Sequence, residues 1–447
     1  MRIPFWIFDI TTKSLDVHSL MLKQTIRTET LPLVALELGS YSVRAIAAER
    51  IADDKFRILG LEESQKHPSV DQANVIQSEN TAYMISEVLN KLANRIGVPN
   101  LPTAFVPIGG YPTKMAAVQA KRDNVHIARV TKALLQSMED ECYEKIRDSY
   151  PDLEVLGLVP AYFLLDGKEH YWDDVRSETE LATLVEGHYT AFITKKIWVE
   201  KFDKCFNQAM RSIEQSFVRV DALLSVFAAE DGDAILQEGC AVLDFGAKTT
   251  TLTVYKGSEY LYHRVVAQGG YHISTLLAQQ GIRFEHAEKV KKDYGFASRV
   301  QVKENKRLRI PSVAPEIGEY WVASFNEIAD LIDSKLQEIL QPLLETIATY
   351  GDRIHTIYIT GGGSMLQGLD AYIEEKTGLR VMYGLHDVLL SEDTEDIFYE
   401  PRFTSLMGAL LLGAYHRDTH KGELVKSPKL VDKIKAGMID IFSNEQM

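Results

Sequence analysis

The stretch Cys240–Tyr255, CAVLDFGAKTTTLTVY, is an apolar run ending in an acid, then one residue, a glycine, small polar residues and a second apolar run. Two apolar runs broken by glycine and short polar residues predict two antiparallel strands joined by a tight turn. Leu33–Ala48, LVALELGSYSVRAIAA, repeats the pattern about 207 residues earlier, with Glu37 and Gly39 where the later stretch has Asp244 and Gly246. A period that long is the mark of a duplicated half, not of a solenoid repeat of roughly 20–50 residues. A third stretch, Ile354–Gly368, IHTIYITGGGSMLQG, reads as an apolar strand, three glycines and a helix-like run.

The chain around these segments has 447 residues, more than one ordinary core holds, so two to four domains are expected. Hydrophobic residues make up 45% and charged residues 25%, which excludes disorder, collagen and a small disulfide scaffold. With 49 Lys+Arg against 63 Asp+Glu the net charge is −14, a balance that disfavours nucleic acid as a partner. Cys142, Cys205 and Cys240 are far apart and show no metal-binding spacing, so buried reduced thiols are expected. No apolar run approaches the roughly 18 residues of a spanning helix. The opening MRIPFWIFDI is interrupted by Asp9 and lacks a small-residue cleavage site. Residues 1–31 are expected to be a flexible extension, with Met21 as an alternative start.

Between the hairpins, apolar residues at spacings of three and four (Ile127, Val130, Leu134, Met138, Cys142, Ile146) predict a helix over 120–149, with Glu139, Asp140, Glu141, Glu144 and Lys145 on a solvated face. Strands are expected at 153–165 and 187–194, and helices at 196–212 and 322–346. Residues 405–415, SLMGALLLGAY, are apolar nearly throughout and predict a buried helix.

The turns carry the chemistry. Gly39 and Gly246 lack Cβ, so backbone N–H groups there can approach an anion; Ser40, Ser42, Thr249 and Thr250 add hydroxyl donors. Two such turns face to face suit the phosphates of one nucleotide, with Glu37 and Asp244 holding Mg²⁺ through water. Either hairpin alone is a weak signal and reads more readily as a plain structural turn. In Thr360–Ser364, TGGGS, the three glycines let a flat ring approach the backbone, and a following helix N-terminus would favour an anion.

In order and spacing these motifs resemble the actin-like ATPase superfamily, and within it the bacterial cell-division family FtsA. CAVLDFGAKTTTLTVYKG, VVAQGG, AEKVKKDYG, IYITGGGSMLQGL and SLMGALLLGAY follow the family's order, and LELGSYSVRAIAAE matches its first motif. The resemblance implies an α/β fold of two duplicated ribonuclease-H-like halves. Its expected divisions are subdomain 1A at 32–111 and 197–239, an inserted FtsA-type subdomain 1C at 112–196, subdomain 2A at 240–280 and 346–415, and subdomain 2B at 281–345. A linker at 416–429 and a membrane-targeting helix at 430–447 would follow.

The resemblance implies ATP with Mg²⁺, bound by Gly39, Ser40, Tyr41, Gly246, Ala247, Lys248, Thr249, Gly269, Gly270, Gly361, Gly362, Gly363 and Ser364. Glu288 and Lys291, on one helix face, would meet ribose and base; an ordinary ion pair is the plain alternative. Lys248 stands where many relatives have Gly and Thr251 where many have Asp. No residue stands out for positioning a hydrolytic water, so binding is better supported than turnover and any hydrolysis is expected to be weak.

The implied function is a filament that tethers FtsZ to the cytoplasmic face of the membrane at the division site. The FtsZ C-terminal peptide would dock on 281–345, where Lys289, Lys291, Lys292, Lys303, Lys306, Arg307 and Arg309 form a basic cluster. Other division proteins and further copies of the chain are the remaining expected partners. A PilM-like adaptor of a membrane assembly machine and a small-molecule kinase are the competing readings; a chaperone is disfavoured because only 31 residues follow His416. The tail favours FtsA. At ~100° per residue Leu430, Val431, Ile434, Met438, Ile441 and Phe442 share an arc of about 120°, with Ile439 outside it. Gly437 costs such a helix about 1 kcal/mol, so one tail is expected to bind weakly and a filament of tails firmly.

Overall fold

In the computed structural model of the protein the described residues are 32–419, except 53, 65–68 and 176. The first hairpin forms as its pattern requires. Strand β1 (Leu33–Leu38) pairs antiparallel with β2 (Val43–Ala52), setting Glu37 opposite Arg44, and β3 (Lys55–Glu63) continues the meander. Helix α1 (Ser78–Ile96) buries Met84, Ile85, Val88, Leu89 and Leu92, and Gly97 ends it in the left-handed conformation. Strand β4 (Thr103–Ile108) then pairs parallel to β1.

The chain next builds a separate sheet: β5 (Lys114–Arg129), helix α2 (Lys132–Ser149), β6 (Leu153–Leu165), β7 (Lys168–His170) and β8 (Leu181–Lys195), in the order β7-β6-β8-β5. Here one expectation fails. The helix predicted over 120–149 starts at Lys132, where Thr131 caps it by accepting from the Leu134 N–H; residues 114–129 are strand. Ile127 shares the helical spacing by coincidence and is exposed on the strand, and Glu139, expected on a solvated face, is buried.

Helix α3 (Lys196–Gln208) and strand β9 (Ser212–Val218) return to the first sheet, and helix α4 (Arg219–Asp231) follows directly. The second hairpin is β10 (Cys240–Phe245) with β11 (Thr250–Lys256), and β12 (Glu259–Val266) completes its meander. Helices α5 (Gly270–Ala278), α6 (Phe284–Tyr294) and α7 (Phe325–Ala348) come next. Ser324 and Glu327 form a capping box at the start of α7. Strand β13 (Thr356–Thr360) pairs parallel to β10; helix α8 (Leu369–Thr377), strand β14 (Arg380–Tyr383) and helix α9 (Thr404–Thr419) close the described chain.

The two large sheets have the same plan. The first runs β9-β4-β1-β2-β3 and the second β14-β13-β10-β11-β12, each a three-stranded antiparallel meander followed by two parallel strands. The duplication read from the hairpins is therefore present strand for strand. Helices α4 and α9 pack together between the sheets, and nearly all of 404–414 is buried, as its apolar run predicts. The halves also meet through the extra sheet: Phe192 of β8 sets its ring edge-on to Tyr260 and His263 of β12, centroids 4.9 and 5.2 Å away. All three cysteines are buried and free, as expected.

Helix α9 runs to Thr419, past the linker boundary read at 416. Residues 1–31, and the tail with Leu430, Val431, Ile434, Met438, Ile441 and Phe442, lie outside the described residues. No helix among the described residues is long and apolar enough to cross a membrane.

Candidate functional site

The two hairpin turns face each other across a cleft of about 400 Å³, the size class of a small-molecule site. Its walls include Glu37, Gly39, Ser40, Tyr41, Asp244, Gly246, Ala247, Thr249, Gly270, Glu288, Lys291, Gly361, Gly362 and Gly363, so most of the sequence candidates converge here. Lys248, Gly269 and Ser364 do not line it.

Their roles differ from those expected of a simple anion cradle. The Gly39 N–H donates to the Ser42 carbonyl at 3.1 Å and the Gly246 N–H to the Thr249 carbonyl at 2.9 Å, so both close their own turns. A Cβ on Gly39 would come within 2.9 Å of the Ser42 oxygen; these glycines make the turns tight. At the start of α5, the Gly270 and Tyr271 N–H groups donate to the carbonyls of Gly246 and Ala247, which locks the helix onto the second turn. Gly269 permits that approach, since a Cβ would sit 2.4 Å from the Gly246 oxygen. Ser40 Oγ accepts from the Ala73 N–H at 2.8 Å.

The third motif needs a correction as well. After β13, residues 362–365 form a single short 3₁₀ turn, so no α-helix N-terminus meets the cleft there. Gly361 (φ 83°) and Gly363 press against Phe245, where a Cβ would come within 2.7 Å of its carbonyl oxygen. Gly362 has nothing within 4 Å of its Cβ position and is the glycine that offers open backbone to a ligand. Ser364 is fully buried and donates to the Gly361 carbonyl at 2.7 Å, holding the turn.

Glu288 and Lys291 do share a face of α6. Lys291 Nζ lies 2.8 Å from Glu288 Oε2 and 2.8 Å from the Gly270 carbonyl; Ser274 also donates to Glu288, and Lys292 pairs with it at 3.3 Å. Burial would raise the Glu288 carboxyl, but Lys291, Ser274 and Lys292 override it and hold it at about 2. The pair is thus both an ion pair and part of the cleft wall. Lys292 and Lys248 reach across from the second half. Lys292 Nζ donates to Tyr41 Oη at 3.2 Å; Lys248 Nζ meets Asp71 at 2.7 Å and sits 4.8 Å from the Tyr271 ring centre.

Sequence reasoning missed the floor of the cleft. Arg219, the first residue of α4, donates from Nη1 to Glu37 Oε1 at 2.5 Å and from Nε to Asp244 Oδ2 at 2.6 Å. Arg44, opposite Glu37 in the hairpin register, donates to Glu37 Oε2 at 3.1 Å, as does Ser405 of α9. Burial works against the Glu37 charge, yet Arg219, Arg44 and Ser405 bring its carboxyl down to about 2. Burial likewise opposes the Arg219 charge, and the two carboxylates override it. The signal was an arginine inside the largely apolar run FVRVDALLSVFAA, residues 217–229, whose other polar residues are Asp221 and Ser225.

This floor bears on magnesium. Two carboxylates and two guanidiniums leave the group with no surplus negative charge, and the metal would have to displace Arg219 from both acids. Asp244 Oδ1 is the one buried carboxylate oxygen here without a partner. Among the described residues no cluster of three or more His, Cys, Asp or Glu side chains is placed to hold a metal ion. As arranged, Glu37 and Asp244 do not fit direct coordination of a magnesium ion.

Comparison with known proteins places this geometry in context. The family model described as "Cell division protein FtsA" matches residues 241–408. The chain is 22% identical over 357 residues to the cell division protein FtsA of Bacillus subtilis, covering 75% of this chain and 74% of that protein. It is 22% identical to FtsA of Borreliella burgdorferi, covering 90% and 94%. Among solved structures, a PilM-PilN type IV pilus biogenesis complex aligns with TM-score 0.62 at 16% identity, over 87% of this chain and 99% of that one. MreB 5 of Spiroplasma citri bound to AMPPNP aligns with TM-score 0.53 at 12% identity, over 88% and 99%. The actin-like α/β fold and the resemblance read from the motifs are both borne out.

Proposed function

We propose, from the premise that this chain is an FtsA-type cell-division protein on an actin-like fold, that it binds ATP between its halves and polymerises. Its filaments would tether FtsZ to the inner face of the cytoplasmic membrane at the division site. The observation that carries the nucleotide reading is the convergence of three sequence-distant turns, at 39–41, 246–249 and 361–363, on one cleft. MreB 5, which shares the fold, was solved bound to AMPPNP.

In this reading the turn tips and the Arg219 guanidinium face the phosphates. The open backbone at Gly362 faces the adenosine. The Glu288–Lys291 pair stands beside the ribose. The tail residues Leu430, Val431, Ile434, Met438, Ile441 and Phe442 supply the membrane contact, each tail weakly and a filament by avidity. The FtsZ C-terminal peptide docks on 281–345, and 112–196 mediates contacts along the filament. Calorimetry of ATP with the full chain tests the core of the proposal: saturable binding that Gly362→Asp removes supports it, and wild-type affinity in that variant overturns it.

The PilM-PilN likeness favours a second reading, an adaptor of a membrane assembly machine. The two separate on the partner, because capture of an FtsZ tail peptide by the full chain is expected only of the first.

A further inference from the structure

Arg219 holds a singular position. Its guanidinium joins the acid of the first hairpin to the acid of the second, residues 182 and 25 positions away in sequence. Glu37 and Asp244 are 4% and 7% exposed, so the low-dielectric setting makes their mutual repulsion large unless a cation sits between them. A cation at that position is what balances the two carboxylates. The chain fills it with a side chain that stays charged at every physiological pH and whose planar fork suits both carboxylate and phosphate. Nε and Nη1 are used on the acids. Arg219 and Arg44 both line the cleft, so cationic side chains border whatever lies there.

We propose that Arg219 is a built-in cation that takes the place of a divalent metal at the phosphate end of the cleft, so that a nucleoside di- or triphosphate binds without magnesium. This rests on the reading of the cleft as a nucleotide site. The side chain bridges the duplicated hairpins whether or not ligand is present, and the phosphates meet a site whose charge is already balanced. Loss of the guanidinium would leave two buried carboxylates facing each other and create demand for a cation that the wild-type chain does not have.

The test uses the full chain. ATP is titrated calorimetrically in buffer with magnesium chloride and in buffer with EDTA, for wild type and Arg219→Gln. Wild-type affinities that agree within about threefold, with Arg219→Gln weakened about tenfold or more in EDTA and restored by magnesium, support the proposal. A wild-type loss of about tenfold or more in EDTA overturns it. A second arm needs no nucleotide: manganese is titrated into each protein and free metal is read by electron paramagnetic resonance. Wild type is expected to take up no manganese in the cleft and Arg219→Gln to gain one site. Tight uptake by wild type that Asp244→Asn abolishes overturns the proposal. Should ATP bind in neither buffer, the nucleotide reading fails and the manganese arm still decides the role of Arg219. Should Arg219→Gln not fold, the wild-type comparison decides it.

Discussion

Gly408 of α9 lies directly against the carbonyl of Ala222 in α4: a Cβ at 408 would stand 1.9 Å from that oxygen. This contact fixes how closely the two central helices cross. Their N-termini carry Ser405 and Arg219, which both bond to Glu37. Helix packing and site geometry are therefore one construction.

Gly408→Val is expected to destabilise the protein by at least about 1–3 kcal/mol, because the obstructing atom is backbone and cannot rotate away. Thermal denaturation reads the loss as a lowered midpoint. An unchanged midpoint would show that the helices can separate at no cost.

The glycines after β13 separate fold from ligand binding. A Cβ at 362 meets no neighbouring atom, so Gly362→Asp should melt like wild type while losing ATP, since it places a carboxylate beside the site. Gly361→Ala, at φ 83° and with a Cβ 2.5 Å from Asp244 Oδ1, should instead lower the melting midpoint. Paired melting and calorimetry of the two variants checks the division.

Asp221 of α4 is buried and accepts a hydrogen bond from Tyr260. Burial pushes its carboxyl up to about 7, with the Tyr260 bond opposing. Because the folded value lies above the unfolded one, near 3.8, the folded state holds a proton the unfolded state has released. Stability is fullest below about pH 4 for this group and falls as pH rises through about 7. Asp221→Asn should flatten this component and raise stability at about pH 8 relative to wild type, as read by urea denaturation across the range. A pH profile identical to that of wild type would refute the assignment.

For the tail, liposome pelleting with ATP present should recover the full chain and leave a chain ending at Ser427 in solution. The double variant Ile434→Glu, Phe442→Glu should behave like the shortened chain. Equal pelleting of all three would rule out the tail as the anchor.

Replacing 112–196 with a short Gly/Ser linker should abolish filament assembly on lipid, visible by electron microscopy. Filaments of normal length from that variant would remove the contact role given to the extra sheet.

Where the sequence was legible, the reason is local. The acid-X-Gly hairpins announce themselves because strand alternation and turn chemistry act over a few residues, so Leu33–Ala48 and Cys240–Tyr255 were readable as a duplication. Helix α9 was readable because an apolar run of that length has to be buried. Strand β5 was hidden because Ile127 and Val130 happen to continue the periodicity of α2, across the capping Thr131 that separates strand from helix. The roles of the turn glycines were half legible. Their lack of Cβ was plain, but whether their N–H groups face a ligand or close the turn depends on the conformation of residues three further on. Arg219 was out of reach of local reading, because its partners are 182 and 25 residues away and only the packing of α4 brings them together.

Phe192 is rooted in a sheet that grows out of the first half, yet its ring lies edge-on to Tyr260 and His263 of the second. The extra sheet thus straddles the seam between the halves on a side the cleft does not reach. A rotation that parts the halves along this seam would have to separate that ring from Tyr260 and His263. The same contact would act as a brake on such an opening and tie the outer strands to the angle between the halves.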